Sequence, residues 1–176
     1  LLQEGDRSHF MTERFDRING GHKVHMQTLC GLAHYDFNDS GAYSYEQLFM
    51  VMRQLNLPFN DFLQMYKRAI FNVVARNQDD HTKNFSFLMD QTGKWSLSPA
   101  YDITYCNGSH WTARHQMTIN GKTDDFALTD LFALASSADI KVAKAKSIIE
   151  EVIQGVSLFD QLAKDYGLKE FAKSNH

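Results

Sequence analysis

A helix-period segment that runs directly into an acidic turn, and then into two short β-period runs, constrains this chain more than any other feature. Over residues 61–76, Phe62, Met65, Tyr66, Ala69, Ile70, Val73 and Val74 recur at helical spacing, which predicts a helix with one buried face. The turn that follows reads Asn77-Gln78-Asp79-Asp80-His81-Thr82-Lys83-Asn84-Phe85. Residues 85–89 and 95–97 then flank Asp90-Gln91-Thr92-Gly93-Lys94 in the pattern of a β-hairpin. Antiparallel strands return the chain to where it started, so the acidic turn and Ser98-Pro99-Ala100-Tyr101-Asp102 sit at the two mouths of one hairpin.

The rest of the chain reads as helices with short β elements. Residues 8–15 carry a period-2 signal, with Phe10, Thr12 and Arg14 opposite Met11, Glu13 and Phe15, and Asn19-Gly20-Gly21 is a turn. Residues 24–34 suit a short helix with Leu29, Leu32 and Ala33 on one side, and residues 36–42 have loop composition. Ser44 with Gln47 forms a capping box for a helix to about Asn56, Pro58 ends it, and Asn60 is placed to cap the next. Met117-Thr118-Ile119 reads as a strand entering the turn Asn120-Gly121, in an otherwise aperiodic stretch over 103–128. Helices follow over 129–135 and 142–155, and Ser157 with Asp160 caps a last one that stops near Gly167. The expected fold is mainly α with small β-hairpins.

Composition narrows the function classes. With 43% hydrophobic residues, 176 residues can bury one core without staples. Cys30 and Cys106 are too few for a disulfide framework, which points to a reducing compartment and a cytoplasmic protein. No window approaches the roughly 18 uninterrupted apolar residues of a membrane span. A net charge of −3 supplies no field that would gather nucleic acid, so direct nucleic-acid binding is not expected.

The acidic turn carries the chemistry. Phosphoryl transfer from a magnesium-bound nucleotide needs a carboxylate to take the proton of the attacking hydroxyl, and an asparagine carbonyl with a second aspartate to hold the metal. Asp79 and Asn84 reproduce the D-x-x-x-x-N spacing of base and asparagine in protein-kinase catalytic loops, and Asp102 supplies the downstream carboxylate. Lys83 is placed either to neutralise charge on the transferred group or to hold the loop through a salt bridge. The same residues also suit a solvated turn after a helix, because D-x-x-x-x-N is a loose pattern. Asp80, adjacent to the base, is assigned to loop structure, since two neighbouring carboxylates cannot both point at one proton. His81 is open between a structural hydrogen-bonding role and a ligand or base. Tyr101 is expected to pack beneath the loop, and His110 and His115 are read as surface or loop histidines rather than zinc ligands.

N-Q-D-D-H-T-K-N-F followed by W-S-L-S-P-A-Y-D resembles the signature of the HipA-like toxin kinases, serine/threonine protein kinases of bacterial toxin–antitoxin modules. Thr12-Glu13-Arg14-Phe15-Asp16-Arg17 resembles the family's hinge segment, and His115-Gln116-Met117-Thr118-Ile119-Asn120-Gly121-Lys122 a block after its metal aspartate. The resemblance implies a protein-kinase-like C-lobe of the HipA type and the cofactors ATP and Mg2+. It implies Asp79 as catalytic base with Lys83 beside it, Asn84 and Asp102 as magnesium ligands, and His81 as a further contact of the nucleotide site. It also implies adenine binding by the backbone around Glu13 and Phe15. The implied partners are a protein substrate, for which an aminoacyl-tRNA synthetase is the family's notable example, and a DNA-binding antitoxin.

Residues 1–17 are then a hinge strand with a remnant of an N-lobe, and residues 18–176 the helical lobe carrying the catalytic and metal-binding loops. Kinases carry a phosphate-covering Gly-rich loop and a phosphate-gripping lysine before the hinge. Here Gly20-Gly21 follows the hinge and Gly5 stands alone, so the N-lobe is expected on another stretch or another polypeptide, and these residues alone are expected to transfer negligible phosphate. Two other readings stay in play. One is a metal-dependent phosphohydrolase using Asp79, Asp80, His81 and Asp102, and the other a non-catalytic interaction lobe.

Overall fold

The computed structural model describes residues 2–18, 20–108 and 110–166. Asn19 of the expected turn and the expected helix end near Gly167 lie outside the described residues. The chain opens with an antiparallel hairpin of β1 (Leu2–Glu4) and β2 (Arg7–His9), followed by a second of β3 (Arg17–Ile18) and β4 (His22–Lys23). Strand β5 (His25–Thr28) leads into the short helix α1 (Leu29–Ala33), capped where the Thr28 side chain accepts from the Gly31 amide.

Strand β6 (Tyr43–Ser44) enters α2 (Tyr45–Gln54) through the expected capping box: Ser44 Oγ accepts from Gln47 N, and Gln47 Oε1 accepts from Ser44 N. Helix α3 (Phe59–Val74) buries Phe62, Met65, Tyr66, Ala69 and Ile70, the stripe its spacing dictates. Strands β7 (Ser86–Met89) and β8 (Trp95–Leu97) form the expected hairpin, and β5 pairs antiparallel along the other edge of β7, with Thr28 opposite Ser86. Strand β9 (Met117–Thr118) pairs parallel with β6. Helices α4 (Leu128–Ser137), α5 (Val142–Ser157) and α6 (Phe159–Asp165) complete the chain. The core lies where α3 packs on α5 and both meet α4, with α2 packed on α3 and α4, and Tyr45, Phe49, Met52, Tyr66, Leu134 and Ile149 are buried in it.

The architecture is thus mixed, helices around a core with small sheets that hairpins alone do not account for. Several local expectations are corrected. Residues 10–14 form no strand: Phe10 is 83% exposed and Met11 63%, because nothing described packs on either face of that segment. Strand β5 occupies the start of the expected 24–34 helix, since its edge is needed to complete the sheet at β7. Pro58 rather than Asn60 caps α3, its fixed φ of −67° suiting the helix entrance, so Asn60 lies inside the first turn. Ser157 ends α5 and donates back to the Gln154 carbonyl instead of capping α6. Among the described residues no helix is long and apolar enough to cross a membrane.

Asp130, at the start of α4, is 2% exposed and accepts from Lys122 Nζ (2.7 Å), Asn120 Nδ2 (2.7 Å) and Ala127 N (2.8 Å), which pins the helix to the turn after β9. The Lys122 bond above all, then those of Asn120 and Ala127, lowers its carboxyl to about 2. Because the folded value is depressed, this stabilisation is complete above the ordinary value of 3.8 and is lost as pH falls through about 2. The gap in melting temperature between the native chain and Asp130→Asn is therefore expected to narrow from pH 5 to pH 2. Thermal melts followed by circular dichroism check this, and a gap independent of pH over that range contradicts it.

Candidate functional site

Helix α3 hands the chain to the acidic turn through a left-handed Arg76 (φ 50°), and the turn is then held by its own polar groups. Gln78 N donates to the Cys106 carbonyl (2.9 Å) and Cys106 N to the Arg76 carbonyl (3.1 Å), so the returning segment after Asp102 lies alongside the entry to the turn. Residues Thr82–Asn84 make one 3-10 turn that leads into β7.

The two adjacent aspartates have opposite environments. Asp80 is fully buried: Oδ2 accepts from Tyr45 Oη (2.8 Å) and His115 Nδ1 (2.9 Å), and Oδ1 from the Gln116 amide (2.7 Å). Behind it, Asn72 Nδ2 donates to Tyr45 Oη (2.9 Å) and Asn77 Nδ2 to Asn72 Oδ1 (3.0 Å). Burial, and then the charge of Asp80, push the Tyr45 phenol well above its ordinary value, so it stays a donor at any working pH. Asp79 instead reaches the surface, its side chain 34% exposed, and Oδ1 accepts a hydrogen bond from Trp111 Nε1 (2.8 Å).

Asn84 folds back on the same residue. Its Nδ2 donates to the Asp79 carbonyl (2.8 Å), so the D-x-x-x-x-N spacing becomes a single closed turn. With the amide nitrogen committed, the Asn84 carbonyl oxygen is the atom left to contact something else. Tyr101 is the second clamp, donating from its hydroxyl to the Lys83 carbonyl (2.5 Å) and sharing a hydrogen bond with Ser86 Oγ. On its other side the Tyr101 ring packs on Phe15, centroids 5.9 Å apart. Burial raises the Tyr101 phenol, and the charge of the neighbouring Asp102 adds to that. Asp102 is exposed, takes a left-handed φ of 53°, and accepts no hydrogen bond from a described residue.

Phe15, Tyr101, Asp102, Lys83, Asn84 and Asp79 thus belong to one run of contacts. Asp16 secures the segment before it: Arg14 grips its carboxylate through two bonds (2.9 and 2.7 Å), Arg17 adds another at 2.5 Å, and the Arg14 bonds chiefly hold the carboxyl down at about 2. Glu13 is exposed on this segment.

One residue is placed differently from expectation, and two whose roles the sequence left open find neighbours in the structure. Lys83 makes no salt bridge among the described residues; its Nζ stands 3.1 Å above the centroid of the Phe37 ring. His81 meets the same ring edge-on at 5.7 Å, with Nε2 3.9 Å from Asp79 Oδ1 and Nδ1 buried with no hydrogen-bond partner among the described residues. His115 is a buried partner of Asp80 and not a surface residue, held in the segment before β9, where its amide donates to the Thr123 carbonyl (3.0 Å). Tyr45, Asn72, Trp111 and Gln116 are functional neighbours that no spacing in the sequence marks. Asn72 alone left a trace, as a polar residue close to the apolar stripe of α3.

Among the described residues there is no group of three or more His, Cys, Asp or Glu side chains that could hold a metal by themselves. The donors chemically suited to a hard divalent cation are the Asn84 carbonyl oxygen and the exposed Asp102 carboxylate, and two oxygens alone would need phosphate oxygens to complete a shell.

The family model for the HipA-like C-terminal domain matches residues 1–158. A protein of Sinorhizobium fredii (strain NBRC 101917 / NGR234), named "Putative kinase Y4mE", is 30% identical over 106 residues, covering 55% of this chain and 25% of its own length. The fold is similar to a chain in the complex of the Shewanella oneidensis MR-1 toxin–antitoxin system HipA, HipB and its operator DNA. The TM-score is 0.69 at 20% identity, over 92% of this chain and 43% of that one. The chain therefore spans a quarter of that curated relative and under half of the solved one.

Proposed function

The chain belongs to the HipA-like C-terminal domain family, and from that premise we propose that it is the kinase-like C-lobe of an ATP-dependent serine/threonine protein kinase, residues 18–176 following a hinge and N-lobe remnant at 1–17. One observation carries this reading: of two adjacent aspartates, Asp80 is sealed into the core while Asp79 is held at the surface, with Asn84 folded onto its carbonyl. A turn made only for solvation has no need of a buried carboxylate network behind it.

In this reading Asp79 accepts the proton as the O–H bond of a protein hydroxyl breaks, while that oxygen bonds to the γ-phosphorus and the bond to the β-phosphate oxygen breaks, releasing ADP. Asn84 and Asp102 would hold magnesium, which when bound would neutralise charge on the phosphate oxygens. Phe15 and the backbone beside Glu13 receive the adenine, and the Phe15–Tyr101 contact sets the distance from that segment to Asp102. His81 and Lys83 support the loop through Phe37, and Lys83 can swing from that ring toward phosphate. The acceptor is a protein, with an aminoacyl-tRNA synthetase the first to assay, and the partner is a DNA-binding antitoxin, as in the Shewanella complex.

The phosphohydrolase reading fits the geometry less well. It needs Asp80 as a ligand, and both oxygens of Asp80 are occupied by buried donors. The test uses the complete protein that carries this domain and transfer of label from γ-labelled ATP to protein. Asn84→Ala and Asp102→Ala are each expected to lower the rate by roughly 10²-fold and to raise the magnesium needed for half-maximal rate. Full activity in both variants at low magnesium would remove the magnesium role of these two residues, and absence of transfer by the native protein would remove the kinase assignment.

A further inference from the structure

Trp111 lies in a stretch of sequence with no readable period, yet among the described residues it alone donates a hydrogen bond to the Asp79 carboxylate: Nε1 to Oδ1 at 2.8 Å. We infer that Trp111 is a positioning residue for Asp79, fixing the carboxylate so that Oδ2 faces the acceptor hydroxyl. The inference deepens the kinase reading and rests on it.

The support behind the indole separates this from a chance surface contact. Gln116 is 3% exposed, and its side-chain amide donates to the Trp111 and Arg114 carbonyls and, at 3.4 Å, to the carbonyl of Gln78 just before Asp79. The backbone amide of the same Gln116 donates to Asp80 Oδ1 at 2.7 Å. One buried residue therefore holds both the carboxylate behind the base and the backbone that carries the indole in front of it. A base serves only when its rotamer is held within a narrow angle, and support of this kind supplies that.

An indole N–H is a donor with no lone pair to offer, so it can orient Asp79 without competing for the proton. It engages one oxygen and leaves the other. Trp111 is 39% exposed, so the contact lies at the surface, where an acceptor can reach Asp79.

Two measurements test this. In isotope-labelled protein the two tryptophans, Trp95 and Trp111, give two indole N–H resonances. Asp79→Asn is expected to move that of Trp111 and leave that of Trp95 in place, and an unmoved Trp111 resonance overturns the contact. In the complete protein, Trp111→Phe keeps a ring and deletes the donor. Its kcat per folded molecule, with the folded fraction taken from circular dichroism, is expected to fall about tenfold or more while KM for ATP stays within about twofold. An unchanged kcat overturns the positioning role. A raised kcat also overturns it, showing instead that the indole obstructs the acceptor. Absence of transfer by the native protein, with the indole coupling intact, marks failure of the kinase reading itself rather than of the contact.

Discussion

Asp79→Asn in the complete protein is expected to lower the phosphotransfer rate by roughly 10²- to 10⁴-fold, the range that a positioned general base contributes. The substitution isolates proton acceptance because it changes little else. The carboxamide it introduces would keep a carbonyl oxygen for the Trp111 donor, and Asn84 binds the backbone carbonyl of position 79 and not its side chain. Asp79 is one-third exposed, so removing its charge leaves no orphaned group in the core and the melting temperature should hold within a few degrees. Nucleotide binding should survive, since the oxygens proposed to hold the metal belong to Asn84 and Asp102. The decisive measurement is single-turnover transfer at saturating ATP, with binding titrated separately. A rate within about threefold of the native protein would show that residue 79 takes no proton, and the turn would revert to a structural element.

Much of the scaffold around this turn could be read from local sequence because the forces that set it are local. The Ser44–Gln47 capping box, the apolar stripe of α3 and the β7–β8 hairpin each depend on residues a few positions apart, and each appears where the pattern puts it. Strand β5 was not legible. Its four residues gain a reason to extend only when β7, some sixty positions later, offers an edge. Residues 10–14 failed in the opposite sense, carrying alternation without a partner to reward it. In the site, spacing singled out Asp79, Asn84 and Asp102 but could not say that Lys83 would rest on Phe37, a contact made across a loop of no regular period. Asp80, Tyr45, Asn72, His115 and Gln116 come together from four separate stretches. A buried polar network of that kind is specified by three-dimensional complementarity, and each member looks ordinary in its own stretch of sequence.

Asp80 is also where the largest effect on stability is expected. Its carboxylate takes three hydrogen bonds in a fully buried setting, two from side chains and one from a backbone amide. Asp80→Ala removes the acceptor and leaves those donors sealed from water, and each unsatisfied buried group costs about 1–3 kcal/mol. The losses are coupled through Tyr45 and Asn72, so they do not simply add, and a total of about 3–5 kcal/mol is expected, in line with breaking a buried polar pair. Domains of this kind have about 5–15 kcal/mol in all, so the variant should unfold at far lower urea or populate the unfolded state outright. Tyr45→Phe removes one donor to Asp80 and the acceptor of Asn72 Nδ2 but leaves the Asp80 charge with two donors, so its loss should be smaller, about 1–3 kcal/mol. Equilibrium urea unfolding of the two variants and of Asp79→Ala orders them: Asp80→Ala well below Tyr45→Phe, and Asp79→Ala close to native. If the adjacent aspartates cost the same to remove, the division of labour between a buried anchor and a surface base is wrong, and with it the reason Asp79 is held where a hydroxyl can reach it.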